Sequence, residues 1–189
     1  MSAPSQRTKL GRRDPNPTNN YMAIVASDLK FLLSGGAGNT SPAASLGGII
    51  STTEVVDDTL NNLFDDVTGE QHTAGDTNYR CIYVKNNSAE IAYNVKLYID
   101  TNTPAADDTI NIGLDLAGLN ATADTIVNET TAPDPAVTFT TADGYANALN
   151  MGNIPAGEKY AFWVKRIVSA GSTAYALDSA ILKISVDTA

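Results

Sequence analysis

Two stretches of this chain read most clearly as β-strands, from the way their side chains divide between two faces. In Tyr79–Lys85 (YRCIYVK), Arg80, Ile82 and Val84 fall on one face and Tyr79, Cys81 and Tyr83 on the other. In Lys159–Ser169 (KYAFWVKRIVS), Tyr160, Phe162, Val164, Arg166 and Val168 oppose Ala161, Trp163, Lys165 and Ile167. Successive strand side chains point to opposite faces, and both faces of Tyr79–Lys85 are largely apolar, so that strand is expected to be central in its sheet. The remaining sequence supplies partners. Ile91–Asp100 places Ile91, Val95, Leu97 and Ile99 inside; Ile110, Ile112, Leu114 and Leu116 alternate; Ala180, Leu182, Ile184 and Val186 share a face. Lys85–Ser88 reads as the turn of a hairpin, and Asn153–Gly157 as a second turn. Ala136–Thr140 and Tyr145–Met151 are shorter strand candidates, and Ala117–Asp134 is a long loop with one weak strand near Ile126. Roughly eight strands without helix–strand alternation give an all-β fold, an antiparallel β-sandwich of jelly-roll or immunoglobulin-like type.

The regions before Tyr79 are less regular. Residues 1–20 read as an extended N-terminal arm, because Pro4, Pro15 and Pro17 bar a helix interior and Asn16, Asn19 and Asn20 favour turns. Residues 21–189 then form one β-sandwich domain, in which 21–48 is an irregular extension ending in a Gly-rich loop. Tyr21–Leu33 suits a strand pair or a short helix equally. In Ser34–Gly48 five of fifteen residues are glycine, namely Gly35, Gly36, Gly38, Gly47 and Gly48. Such a run serves either close backbone approach to another surface or a flexible surface loop. Ile49–Val56 is rich in β-formers and is expected to be a strand, followed by a turn of helix or a loop to Val67; Thr52 or Thr53 would cap that helix. Thr68–Asn78 reads as a loop.

Charge is divided along the chain. Arg7, Lys9, Arg12 and Arg13 lie in the first thirteen residues, before any acid; the remaining eight basic residues face all 21 acids, a net of −13. A body this acidic repels nucleic acid, so no sequence-specific nucleic-acid binding is expected. The arm has two readings, docking onto an acidic neighbour or acting as a solubilising tail. No run of about 18 apolar residues suggests a membrane span, and the basic start leads into Pro and Asn instead of an apolar run, so assembly in a cytoplasm is expected.

Chemistry is sparse. The lone His72 sits in a polar loop, and no Gly-x-Ser-x-Gly elbow accompanies it. The lone Cys81 lies in an apolar strand, where a thiolate is disfavoured. The Gly-rich loop lacks the Gly-Lys-Ser/Thr ending of a phosphate loop. The acidic pairs Asp57-Asp58, Asp65-Asp66 and Asp107-Asp108 lack the spacing of a calcium loop and read as a solvated rim. No catalytic residue, metal site or cofactor is therefore assigned. Trp163 with Tyr79, Tyr83, Tyr93, Tyr98 and Tyr160 forms either a sugar-stacking face or, as the alternation favours, core and cross-strand packing.

Several stretches carry a resemblance. Tyr79–Asp100 resembles the strand–Lys-Asn-turn–strand hairpin of immunoglobulin-like adhesion and cell-surface modules. Ile154–Val168 (IPAGEKYAFWVKRIV) is similar to a segment of many phage virion proteins. Leu33–Gly36, Leu63–Asp66 and Tyr79–Val84 together resemble structural proteins of tailed bacteriophages. The resemblance implies a non-enzymatic virion protein, a capsid decoration (cement) or head–tail accessory part, whose partner is the major capsid protein or another virion protein and which forms a homo-oligomer. Arg7, Lys9, Arg12 and Arg13 of the arm and Gly35, Gly36, Gly38, Gly47 and Gly48 of the loop are the expected partner contacts. The alternative is a carbohydrate- or receptor-binding module of a tail or adhesin.

Overall fold

The computed structural model describes residues 24–103, 108–171 and 178–187. The arm residues Arg7, Lys9, Arg12 and Arg13, and Asp107 of one acidic pair, lie outside them. In chain order come β1 (Leu29–Leu33), β2 (Gly47–Gly48), α1 (Gly69–Ala74), β3 (Asp76–Asn86), β4 (Ala92–Thr101) and β5 (Asp108–Leu119). Then follow β6 (Ala123–Thr125), β7 (Leu149–Ile154), β8 (Lys159–Val168) and β9 (Ile181–Asp187). They form a four-stranded sheet β1-β3-β8-β5, a three-stranded sheet β7-β4-β9 and a small pair β2-β6. Every strand pairing within them is antiparallel.

The two larger sheets pack face to face. Ile82, Val84, Ile112, Phe162 and Val164 from one meet Val95, Leu97, Ile99, Met151 and Ile154 from the other in a single buried cluster. Burying each such side chain contributes about 1.5–3 kcal/mol. The outer face of the four-stranded sheet is also covered. Tyr79, Cys81, Tyr83, Ala161 and Trp163 form a second cluster with Leu32, Ala123 and Ile126, closed by Leu46, Ile50, Val137 and Phe139 from the loops. β3 and β8 are thus buried on both faces, as the two apolar faces of Tyr79–Lys85 require of β3, and the molecule is a sandwich with a loop layer on one side.

Several local expectations are corrected. β3 and β4 do not form a hairpin; they lie in different sheets. The reason is Asn86, which is fully buried. Its side-chain amide donates to the carbonyls of Glu90 (2.8 Å) and Ile154 (2.9 Å), while its Oδ1 accepts from the backbone and hydroxyl of Ser88 (2.9 and 2.7 Å). One side chain so ties the β3–β4 crossover to the β7–β8 crossover. Ile91 is exposed and Ala92 takes the inner position, because a bulge with Asn94 in the left-handed region (φ 49°) shifts the register before Val95. Leu116 is exposed because the β5–β8 register slips after Leu114. Within the extension, Leu29–Leu33 is the regular edge strand β1.

Ile49–Val56 is not a strand. It closes the outer edge of β1 by a single bridge, Leu32 with Glu54, and by hydrogen bonds from Ser51 to Leu33 (2.8 Å) and from Val55 to Phe31 (2.9 Å). No helix follows, since Asp58 (φ 51°) and Asn61 (φ 58°) break it. Thr68–Asn78, expected as a loop, contains α1 and the start of β3. Its Thr-x-x-Gln pattern is a capping box: Thr68 Oγ1 accepts from Gln71 N (3.2 Å), and Gln71 Oε1 accepts from Thr68 N (2.8 Å). Ala136–Thr140 makes only an isolated bridge through Thr140 to Ile112, and Tyr145–Asn147 is a 3₁₀ turn ahead of β7.

Candidate functional site: a lysine row beside the Gly-rich loop

The antiparallel registers place Lys30 of β1 opposite Lys85 of β3, and Lys85 opposite Lys159 of β8. All three share a face with Leu32, Tyr83 and Ala161, the outer face of the four-stranded sheet. Neighbouring strands lie about 4.8 Å apart, so three cations span about 10 Å. Like charges directly opposite one another destabilise a sheet. Their neutralisation is partial. Lys30 Nζ pairs with Glu54 at 2.9 Å. Lys159 Nζ donates to the carbonyl and side-chain oxygens of Asn120 (3.2 and 3.1 Å). Lys85 has no carboxylate partner among the described residues.

Two of these lysines line an open groove of about 460 Å³. Lys30, Leu32 and Lys85 enter it from the strands; Ala37, Ile49 and Glu54 enter it from the loop and the segment after it. Ile49 is 60% exposed there. The groove combines cationic and apolar surface, which suits an acidic, partly apolar segment of polypeptide.

The Gly-rich loop reaches this groove through Ala37, and its glycines divide into two kinds. Gly35 and Gly47 serve close approach, but to their own chain: a Cβ on Gly35 would lie 2.4 Å from the Ala44 carbonyl oxygen, and one on Gly47 1.7 Å from that of Asp124. Gly36 and Gly38 have no neighbour within 4 Å of a would-be Cβ, and Gly48 meets only the Thr125 hydroxyl at 3.2 Å. The loop is ordered by polar side chains. The buried Ser34 hydroxyl accepts from Gly47 N (3.0 Å), Asn39 donates to the Ser34 carbonyl (2.6 Å), and Ser51 donates to the Asn39 carbonyl (2.6 Å). Tyr83 locks it down: its hydroxyl donates to the Gly48 carbonyl (2.6 Å) and accepts from Ala123 N (2.8 Å), and burial pushes its pKa up to about 12.

Two arginines hold the groove's far neighbour, the segment after Glu54. Arg80, only 1% exposed, and Arg166 both lie against the ring of Phe64, at 5.3 and 4.8 Å from its centroid. Arg80 is ion-paired with Glu129, and Arg166 donates to the Asp65 carbonyl (2.6 Å) and to Asn78 Oδ1 (2.8 Å). Burial, with Arg80 nearby, lowers the Arg166 pKa.

The aromatic candidates separate. Tyr79, Tyr83 and Trp163 are core residues, Trp163 Nε1 donating to the buried Asp115 at 2.8 Å, and Tyr160 is half-buried against the inner cluster. Tyr93 and Tyr98 lie on the outer face of the three-stranded sheet, where Tyr145 stands edge-on to Tyr98 (6.0 Å) and Lys96 Nζ sits over the Tyr145 ring (4.3 Å). Cys81 is fully buried, and burial raises its pKa, so it remains a thiol. His72 lies on α1. Asp57, Asp58, Asp65 and Asp66 are exposed, Asp108 is buried, and among the described residues no group of His, Cys, Asp or Glu could hold a metal ion. Nor is any described helix long and apolar enough to cross a membrane.

Sequence reading missed the lysine row, because it exists only through the register of three strands far apart in the chain. Its one available signal was that Lys85 and Lys159 each stand at the end of a two-faced strand. Compared with models of known protein families, the chain matches none, and no curated protein matches it.

Proposed function

We propose that this chain is a non-enzymatic structural protein of a tailed-bacteriophage virion, a decoration or cement protein that binds the capsid shell and stabilises it as a homo-oligomer. The observation that supports this reading is the lysine row and groove, a surface for contact rather than turnover, on a body whose charge otherwise runs strongly negative. Beside it stands the resemblance. Its motifs are structural nodes of the fold: Leu33–Gly36 leads β1 into the loop layer, Leu63–Asp66 carries the ring under the two arginines, Tyr79–Val84 is the doubly buried strand, and Ile154–Val168 is a sheet crossover with β8. The partner is the major capsid protein or another virion protein, reached by the basic arm and by the loop surface around Gly36 and Gly38. At about 25 cal/mol per Å² of buried apolar surface, each contact adds little alone, and shell symmetry repeats it many times. The division into sheets of four and three strands is that of immunoglobulin-like sandwiches. Relative to those, the fifth and sixth of the seven main strands, β7 and β8, are exchanged between the sheets.

The test is co-sedimentation with intact particles, with copies counted per particle. Hundreds of copies support decoration, a dozen or fewer support a neck or tail part, and none ends the proposal. A second reading, a carbohydrate- or receptor-binding module, is favoured by the exposed Tyr93 and Tyr145 and the half-buried Tyr98 on the outer face of the three-stranded sheet. It requires glycan-array binding that Tyr98→Ala abolishes.

A further inference from the structure

The lysine row calls for an acidic occupant with apolar side chains, and the chain displays one two residues beyond groove-lining Glu54. Val56-Asp57-Asp58-Thr59-Leu60 is exposed at every position, with Val56 at 61% and Leu60 at 66%. From Glu54 through Glu70 there are six acids and no basic residue. The segment is held in shape. Asn62 Nδ2 donates to the Val56 carbonyl (2.9 Å), Asp57 Oδ1 accepts from Asp58 N (3.0 Å), and Phe64 anchors its far end beneath Arg80 and Arg166. Large apolar side chains left in water on a braced loop, two residues along the chain from a cationic groove with its own exposed Ile49, are its chemical complements.

We propose that the occupant of the groove is a second copy of this chain, the Val56–Leu60 segment of each protomer lying in the groove of the other. Asp57 and Asp58 meet Lys85 and its row; Val56 and Leu60 cover the exposed Ile49. Each protomer carries both projection and groove, so exchange about one two-fold axis makes both contacts at once, the self-complementary arrangement typical of closed dimers. The inference rests on the homo-oligomer part of the reading above and not on its virion part, so a failure to bind particles leaves it standing.

The test is the mass of the full chain in solution by sedimentation and light scattering across concentration and salt. The dimer is expected to weaken as salt rises. Lys85→Glu alone, and Asp57→Lys with Asp58→Lys alone, are each expected to weaken self-association about tenfold or more. Mixed one to one, the two variants are expected to form a heterodimer, since one contact is then charge-reversed on both sides and the other is unchanged. Thermal melts of each variant, read beside the parent, establish that it folds. A parent chain that stays monomeric at every concentration overturns the proposal, as does a dimer indifferent to both substitutions or a mixture that fails to recover. If the parent is monomeric and binds poly-glutamate through Lys85, the groove takes a foreign acidic segment and the second copy is excluded.

Discussion

Asn86 shows how much of this fold hangs on single polar side chains. Its amide satisfies one carbonyl in each crossover, Glu90 and Ile154, and its oxygen accepts two donors from Ser88. Asn86→Ala removes these bonds and takes the side-chain donor away from the buried Ile154 carbonyl, which costs about 2–4 kcal/mol. Urea unfolding should show that loss with an unchanged slope; a loss below about 1 kcal/mol would mean water replaces the amide. Tyr83 is the comparable residue for the loop layer. Its pKa, about 12 through burial, exceeds the value near 10 of an unfolded tyrosine. Between those values the unfolded chain releases a proton that the folded chain keeps, so stability falls as pH rises across that window. Tyr79 and Tyr160 shift in the same direction, also through burial. Tyr83→Phe is therefore expected to lower stability at pH 7 by about 1–3 kcal/mol, through the lost hydroxyl bonds, and to flatten the decline above about pH 10 without abolishing it. Melting temperature against pH for both proteins measures this directly.

At the level of elements, legibility follows how local the cause is. β3, β8 and the inner face of β9 are readable because a two-residue period needs no partner to be seen. The capping box at Thr68 is equally local, but the glycines and polar residues around it mask the helix. The false hairpin has a different origin. Lys85–Ser88 has the composition of a tight turn, and only the burial of Asn86, a tertiary fact, sends the chain to the opposite sheet. The glycine run points to close approach, and Gly35 and Gly47 make it, but nothing in the sequence says which surface they approach. Gly47→Ala sets a Cβ 1.7 Å from the Asp124 oxygen at a φ of 93°. It should break the β2–β6 pairing and cost more than about 2 kcal/mol, whereas Gly38→Ala, in open space, should stay within about 0.5 kcal/mol of the parent. Chemical denaturation of the pair separates a built loop from a slack one; equal effects would contradict the close packing.

On the scale of the whole molecule, charge is divided along the chain, with four basic residues ahead of the first acid. The described body supplies its own core, with Ile24 already packed against the inner cluster, and carries none of the four arm cations. Removing residues 1–20 is thus expected to leave the circular dichroism spectrum and the melting temperature of the body nearly unchanged. The same deletion should abolish binding to particles, because a body whose acids so outnumber its bases then meets an acidic neighbour with repulsion and no countering arm. Added salt discriminates between causes. If the arm acts through charge, salt weakens binding by the full protein and relieves the repulsion felt by the truncated one, so their affinities converge as ionic strength rises. Affinities that stay apart at high salt would assign the arm's contribution to apolar or backbone contacts, and wild-type binding by the truncated body would leave the arm without a role in attachment.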